Sequence, residues 1–381
     1  MRDAVIVDAV RTPIGRRGGV LSELHPVDLS ALVLATLLER TSVDPAQVDD
    51  VMWGCVTQIG DQASNVGRQA VLAAGWPESV PGTTVDRACG SSQQAVHFAA
   101  ATIMAGQADI IIAGGVESMS RVPLGAARQT GMPYGPRVRA RYHTDVFSQG
   151  MGAELMADKW DLSRRQLDEF ATRSHQIAAA ATDNGAFAGQ LVDVQVGGER
   201  VRADEGIRRQ TTVEILARLK PAFREGGRIH AGNSSQISDG AAALMLTTSE
   251  NAKRLGLRPL ARFHSGVVRG DDPVMMLSAP IPATGAVLDR AGLRISDIGV
   301  FEVNEAFASV PLAWLAETGA DPDRMNPLGG AIAVGHPLGG SGAILMTRLV
   351  HRMHDTGARY GLQTMCEAGG MANATILELV S

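Results

Sequence analysis

The sequence predicts an α/β protein built from two similar halves, and three observations lead there. Strand-length apolar runs alternate with helical patterns. Tight glycine turns separate them, with 43 glycines in 381 residues. One series of residues then recurs at a fixed offset: Cys89-Gly90-Ser91-Ser92 stands opposite Gly339-Gly340-Ser341-Gly342, 250 positions later.

The runs AVIVDAV, DVMWGCV, DIIIAGG, AALMLTT, VFEVNEA and LQTMCEA read as strands bounded by Gly, Asp or Pro. DLSALVLATLLERT reads as a helix capped by its Asp, and SQQAVHFAAATIMAG and SGAILMTRLVHRMHDTG as helices that each stop at Gly. At the 250 offset Val48, Val51 and Trp53 match Ile298, Phe301 and Val303, and DIIIAGG falls opposite RYGLQTM. Each half therefore reads helix, strand, glycine turn, long helix, strand. Residues 119–245 lack that rhythm and are richer in Arg, Gly and Gln. There RVPLGAARQTGMPYGPRVRARYH reads as an extended loop and SRRQLDEFATRSHQIAAAATDNGAF as an amphipathic helix. The expected division is 1–118 for the first half, completed by about 246–262, then an inserted loop domain over 119–245, and 263–381 for the second half.

Composition removes several function classes. The chain is 45% hydrophobic and 20% charged, an ordinary globular balance, and its net charge of −5 gives no basic surface for nucleic acid. No apolar run reaches the length of a membrane span. The start reads as a strand rather than a signal peptide, and the end carries no peroxisomal or lipidation motif. These features predict a cytoplasmic protein with no membrane partner. Cys55, Cys89 and Cys366 are odd in number and far apart, which suits neither a disulfide framework nor a zinc site, so no metal is expected.

Four sites carry chemistry. Cys89 stands just before a helix, where unpaired N–H groups and the helix dipole favour the thiolate. A buried core cysteine is the competing reading. His336 occupies the glycine-rich turn of the mirrored half. If the halves face each other across a pseudo-twofold axis, it approaches Cys89 and makes a Cys–His pair. No Lys follows the glycines, so a nucleotide phosphate loop fits poorly. Cys366 ends a strand before Ala368-Gly369-Gly370, where a thiol serves as acid and base beside backbone N–H donors. Asn304 and Glu305 follow another strand; they read as a helix cap, or Asn304 holds a water facing a developing oxyanion.

With these residues in place, the chain resembles the thiolase family, the acetyl-CoA acetyltransferases and 3-ketoacyl-CoA thiolases. The resemblance runs end to end through VRTPIGRRGG, GCVTQIG, CGSSQQA, GGVESMS, LKPAF, AGNSSQISDGAAA, PIPAT, NEAFA, GGAIAVGHPLGGSGA and TMCEAGG. It implies duplicated α/β halves, each with a mixed five-stranded sheet, in a layered αβαβα core, the insertion folding over the CoA site. It implies CoA-dependent cleavage of a 3-ketoacyl-CoA, or the reverse condensation, through an acyl group on Cys89. His336 would be the base and a donor to the thioester oxygen, Asn304 the holder of a water in the same oxyanion hole, and Cys366 the second acid and base. The N–H groups of Cys89 and Ala368 would form the other oxyanion hole, and Ser235 would contact the pantetheine arm. CoA would be a substrate, with no cofactor needed, and the assembly a homodimer or homotetramer. Cys55 would be structural, near the dimer edge.

Some positions depart from the family pattern. Ser92 replaces a glycine, Ala368 replaces the first of three glycines, and Ser148-Gln149-Gly150 replaces His-Met-Gly, which predicts a roomier acyl pocket. His230 stands where threonine is common and has no sequence rationale. Arg137, Arg139 and Arg141 suit either the CoA 3′-phosphate or a solvated or bridging loop. Two other functions compete. A decarboxylating condensing enzyme would not need Cys366. A catalytically silent acyl-CoA-binding subunit would have lost one of Cys89, Asn304, His336 or Cys366, and all four are present.

Overall fold

The computed structural model describes residues 2–129, 131–144 and 147–380. The strands are β1 (Val5–Arg11), β2 (Gly15–Arg16), β3 (Asp50–Gly54), β4 (Gly82–Val85), β5 (Ile110–Ser118), β6 (Val194–Val196), β7 (Glu199–Val201), β8 (Ser238–Thr247), β9 (Ala261–Gly270), β10 (Val300–Val303), β11 (Tyr360–Glu367) and β12 (Met371–Leu379). The helices are α1 (Pro26–Thr41), α2 (Val66–Ala73), α3 (Ser91–Met104), α4 (Pro136–Tyr142), α5 (Gln149–Lys159), α6 (Arg164–Asp183), α7 (Val213–Leu216), α8 (Ser249–Arg254), α9 (Pro280–Ala291), α10 (Ser309–Thr318), α11 (Ala331–Val334) and α12 (Ser341–Thr356).

The main sheet runs β10-β11-β12-β9-β1-β8-β5-β3-β4, with β2 against β8. Its two halves repeat each other. β3 lies parallel to β5 with Val51 opposite Ile112, and β10 lies parallel to β11 with Phe301 opposite Leu362, the same register 250 residues on. In each half an antiparallel strand follows, β8 or β12, and then β1 or β9. The halves join edge to edge where Val5 and Ile6 pair with Arg262 and Ala261.

Three apolar clusters fill the layers. α1 packs Leu29, Val33, Leu34 and Leu37 on the outer face of the first half, against Trp53, Ile112 and Met245. Trp314 of α10 and Val287 of α9 cover the second half through Phe301, Leu362 and Ile376. Between the halves lie α3 and α12, whose Val96, Ile103, Leu349 and Met353 meet Ile111, Leu244, Val300 and Leu377. The order is helix, sheet, helix, sheet, helix. No helix of the described residues is long and apolar enough to cross a membrane.

Several sequence expectations change in detail. The first half has five strands and the second four, because β4 has no full counterpart. At the matching edge only an isolated bridge, Phe301 to Met325, forms before the chain reaches Pro327, and proline cannot donate to a ladder. The cap of α1 is His25, whose ring accepts from Val27 N–H, with Pro26 opening the helix; Asp28 sits in the first turn. The stretch expected to be an extended loop contains α4. The 119–245 segment also holds the β6–β7 ribbon and the start of β8 at Ser238. Arg11 ties this segment to β1 by a fully buried ion pair with Asp204, at 2.7 Å, and a hydrogen bond to Gln190.

What positions the site is the closeness of the two middle helices. A Cβ on Gly342 would lie 2.3 Å from Gln93 N, and one on Gly54 2.3 Å from Ser92 N. The Ser92 hydroxyl, the departure noted above, accepts from Ala343 N–H at 2.9 Å and so caps the first turn of α12. Gly342→Ala should therefore push α12 off α3 and cost about 2–3 kcal/mol. A lower urea midpoint with an unchanged slope is the expected result.

Candidate active site

Cys89 sits at the turn between β4 and α3. Ala88 before it adopts φ 45°, in the left-handed region, at a cost of about 1–2 kcal/mol for a residue with a Cβ. The turn is held locally: Ala88 N–H donates to Asp86 at 2.8 Å, Arg87 N–H to Ser91 Oγ at 2.9 Å, and the Ser91 hydroxyl to Ala88 O at 2.6 Å. Gly90 is required because the Glu367 carboxylate fills the space a Cβ would take.

His336 lies in the turn before α12. The Ser341 hydroxyl donates to Pro337 O at 2.8 Å, so it can only accept from His336 Nδ1, 2.6 Å away. The ring hydrogen is assigned to Nδ1 by that network, which leaves Nε2 unprotonated as an acceptor. Asn304 Nδ2 lies 3.5 Å from Nε2, and Asn304 Oδ1 is buried without a partner. His336 N–H is fixed by Ser238 Oγ at 3.1 Å.

Cys89, His336, Cys366, Ala368 and Ser235 all line one cavity of about 730 Å³. Asn304 stands behind His336 rather than in the wall. Burial pushes the Cys89 thiol up to about 12, and the Glu367 and Glu117 carboxylates add to this; the backbone N–H groups of Cys89 and Ala368 face the sulfur and oppose it. Burial also pushes Cys366 well above an ordinary thiol, with the nearby Cys89 sulfur as the next cause. Burial lowers His336 to about 4. The helix start was expected to favour a thiolate at Cys89. In this site burial opposes it, favouring a thiol at Cys89 and an uncharged imidazole at His336.

Sequence reasoning missed the residues that hold the turns. The Glu117 carboxylate accepts from Val56, Thr57 and Gly339 N–H and from Gln62, at 2.8–3.0 Å, joining the loop after β3 to the turn before α12. Glu305 accepts from Ser174 Oγ, Asn326 Nδ2 and Ile332 N–H, fixing the Asn304 segment to α11. Glu117 gives no sequence signal beyond an acid inside GGVES; Glu305 reads with Asn304 as a helix cap, whereas its carboxylate binds Ser174, Asn326 and Ile332. Ser148, Gln149 and Gly150 are in the cavity wall, and its arginine is Arg128; Arg137, Arg139 and Arg141 lie on α4, outside it. Cys55 is buried and lies outside that wall. Two other clefts, around Arg40 and around Arg254, are lined mainly by charged and polar groups and contain no thiol. Among the described residues, no cluster of three or more His, Cys, Asp or Glu could hold a metal ion.

Comparison with known proteins places the chain in a family. The family model for the thiolase N-terminal domain matches residues 4–250 and that for the C-terminal domain residues 257–379. The chain is 50% identical to the steroid 3-ketoacyl-CoA thiolase FadA6 of Mycobacterium tuberculosis, over 99% of this chain and 94% of that protein. It is 46% identical to a 3-ketoacyl-CoA thiolase of Erwinia tasmaniensis and 44% identical to one of Pseudoalteromonas translucida, over the full length of each.

A protonated resting Cys89 has a measurable consequence. Iodoacetamide should label the Cys89 peptide slowly at pH 7, about tenfold faster for each pH unit up to pH 9. Cys55 should stay unlabelled in the folded protein. A Cys89 rate that is flat over this range, read by mass spectrometry, would mean a resting thiolate instead.

Proposed function

The chain belongs to the thiolase family and is an acyl-CoA thiolase, an acyltransferase; from that premise we propose that Cys89 carries the acyl group while His336, Cys366 and Asn304 serve its transfer. The observation behind this assignment is that two thiols and a histidine with an unprotonated Nε2 open onto one cavity.

His336 Nε2 takes the Cys89 proton as the sulfur attacks the 3-keto carbon. Because both groups rest uncharged, the thiolate forms only as it is used. Charge on the attacked oxygen faces the N–H groups of Cys89 and Ala368. The bond between C2 and C3 then breaks and its electron pair passes to C2, an enolate of acetyl-CoA. The thioester oxygen of that enolate faces His336 and a water on Asn304, whose unpartnered Oδ1 supports such a role. Cys366 gives its proton to C2 and acetyl-CoA leaves. The Cys366 thiolate then takes the proton of incoming CoA, whose sulfur attacks the acyl carbonyl. Cys89 leaves and regains its proton from His336.

On this reading Ser235 contacts the pantetheine arm, and the 119–245 segment covers the CoA end, between the halves 1–118 and 263–381 (the first completed by about 246–262). CoA is a substrate and no metal or prosthetic group takes part. The enzyme acts in the cytoplasm as a homodimer or homotetramer. Its acyl group is larger than acetoacetyl. That is supported by the cavity volume, by the wall of Ser148, Gln149 and Gly150, and by the relative named for steroid substrates.

A panel of 3-ketoacyl-CoA substrates, from four carbons to ring-bearing, tests these assignments. Intact-protein mass spectrometry should show an acyl adduct on Cys89 that clears when CoA is added. Cys89→Ala should abolish it, Cys366→Ala should slow turnover by about 10²–10⁴-fold, and Asn304→Ala by about 10²–10³-fold. No adduct across the panel would leave an acyl-CoA-binding subunit in place of an enzyme.

A further inference from the structure

His230, for which the sequence offered no reason, is fully buried and uses both ring nitrogens. Gly232 N–H donates to Nδ1 at 3.0 Å, so the ring hydrogen sits on Nε2 and is donated to Asp168 Oδ1 at 2.8 Å. Asp168 is itself 1% exposed and accepts from three side chains at once. Its Oδ1 also accepts from Asn233 Nδ2 at 3.0 Å, and its Oδ2 accepts from Arg164 Nε at 2.9 Å. Arg164 continues the chain by donating to Leu216 O and Leu219 O, at 2.7 and 3.0 Å.

The ends of this network reach the cavity. The turn that His230 caps, Ala231–Asn233, leads into Ser234, Ser235 and Gln236, and the segment held by Arg164 leads into Ala222 and Phe223; all five line the cavity. The same turn is tied to the Asn304 segment, through Ser235 N–H to Ala306 O and Ala308 N–H to Asn233 O, each 2.9 Å. None of these bonds touches Cys89, His336 or Cys366.

We propose that His230 and Asp168 are positioning residues that set both walls of the CoA-binding end of the cavity, and so govern affinity for the CoA tail rather than the chemistry at Cys89. This rests on the assignment of the Ser235 side to CoA. The ring acts as a two-ended strut. One nitrogen holds the turn in shape, and the other anchors it to α6. Asn at this position keeps an acceptor for Gly232 N–H but is too short for Asp168. Phe fills the space and loses both bonds.

The experiment is steady-state thiolysis at saturating 3-ketoacyl-CoA with CoA varied, beside iodoacetamide labelling of Cys89 without CoA. KM for CoA should rise about threefold in His230→Asn and about tenfold in His230→Phe. In both, kcat should stay within about twofold and the labelling rate should not change. A wild-type KM in folded His230→Phe overturns the proposal, as does a fall in kcat and labelling together. Should His230→Phe not fold by circular dichroism, Asp168→Asn provides the same test, with a rise of about threefold expected and an unchanged KM overturning it. Wild-type protein that forms no CoA-cleared adduct would instead refute the thiolase assignment of the site; a working wild type with unaffected variants refutes only the strut.

Discussion

The site depends on one steric fact, that α3 and α12 touch through backbone. Gly342 and Gly54 leave room for Gln93 and Ser92, and a Cβ on Gly115 would lie 2.4 Å from Gly339 O. Each helix is preceded by a turn carrying a reactive side chain, Cys89 in one half and His336 in the other. Bringing the helix starts together therefore brings the two turns together. Duplication supplies the pair of turns, and glycine at the crossing lets them meet. A larger residue at the crossing would separate Cys89 from His336 without altering either.

That closeness also sets the electrostatics. The starts of two helices favour negative charge by at most about 2 kcal/mol each. Burial acts in the opposite sense on the thiols and holds the imidazole uncharged. Once ionised, Glu367, itself pushed up to about 8, and Glu117 reinforce burial. In the proposed mechanism a permanent thiolate would waste the site on stray electrophiles, whereas a thiol that ionises only toward Nε2 would react when a substrate carbonyl is in place. The two N–H groups facing the sulfur would then donate to the oxygen of an acyl group bound there.

The duplicated core was legible in the sequence because its repeat is written in chemistry as well as in hydrophobicity. Val51 and Phe301 occupy matching strand positions, and the glycine turns fall at one offset. β9 and β12 were not recognised. ARFHSGVVRG mixes charged and apolar residues because it lies at the junction of the halves, half-covered, and MANATILEL begins by alternating alanines of the outer core with Asn373 and Thr375, which hydrogen-bond to Gln94 and Gln93 of α3. Cys89, His336 and Cys366 stand out in the sequence as reactive residue types at element ends, and the structure brings them to one cavity with Asn304 beside His336. The bonding roles of Glu117, Glu305 and Asp168 are not legible there, since an acid gains meaning only from the N–H groups and side chains that fold around it. His230 was noticed and left unexplained for the same reason: its two partners are Gly232, next in the turn, and Asp168, 62 residues away.

The reacting groups and the binding walls are thus built from different parts of the chain. The thiols, His336 and Asn304 sit on turns of the duplicated core, tied by Glu117 and Glu305 to backbone that the sheet already fixes. The remaining cavity walls come largely from the 119–245 segment, from Ser148 to Gly150, Phe223 and Ser235. Among these, Gly150 leaves the space in which the Phe223 ring lies. On the proposed reading, a change in that segment alters which thioester fits while the placement of Cys89 and His336 stays as the helix crossing sets it. The core would then fix which bond is cut, and the 119–245 segment would select the molecule in which it is cut.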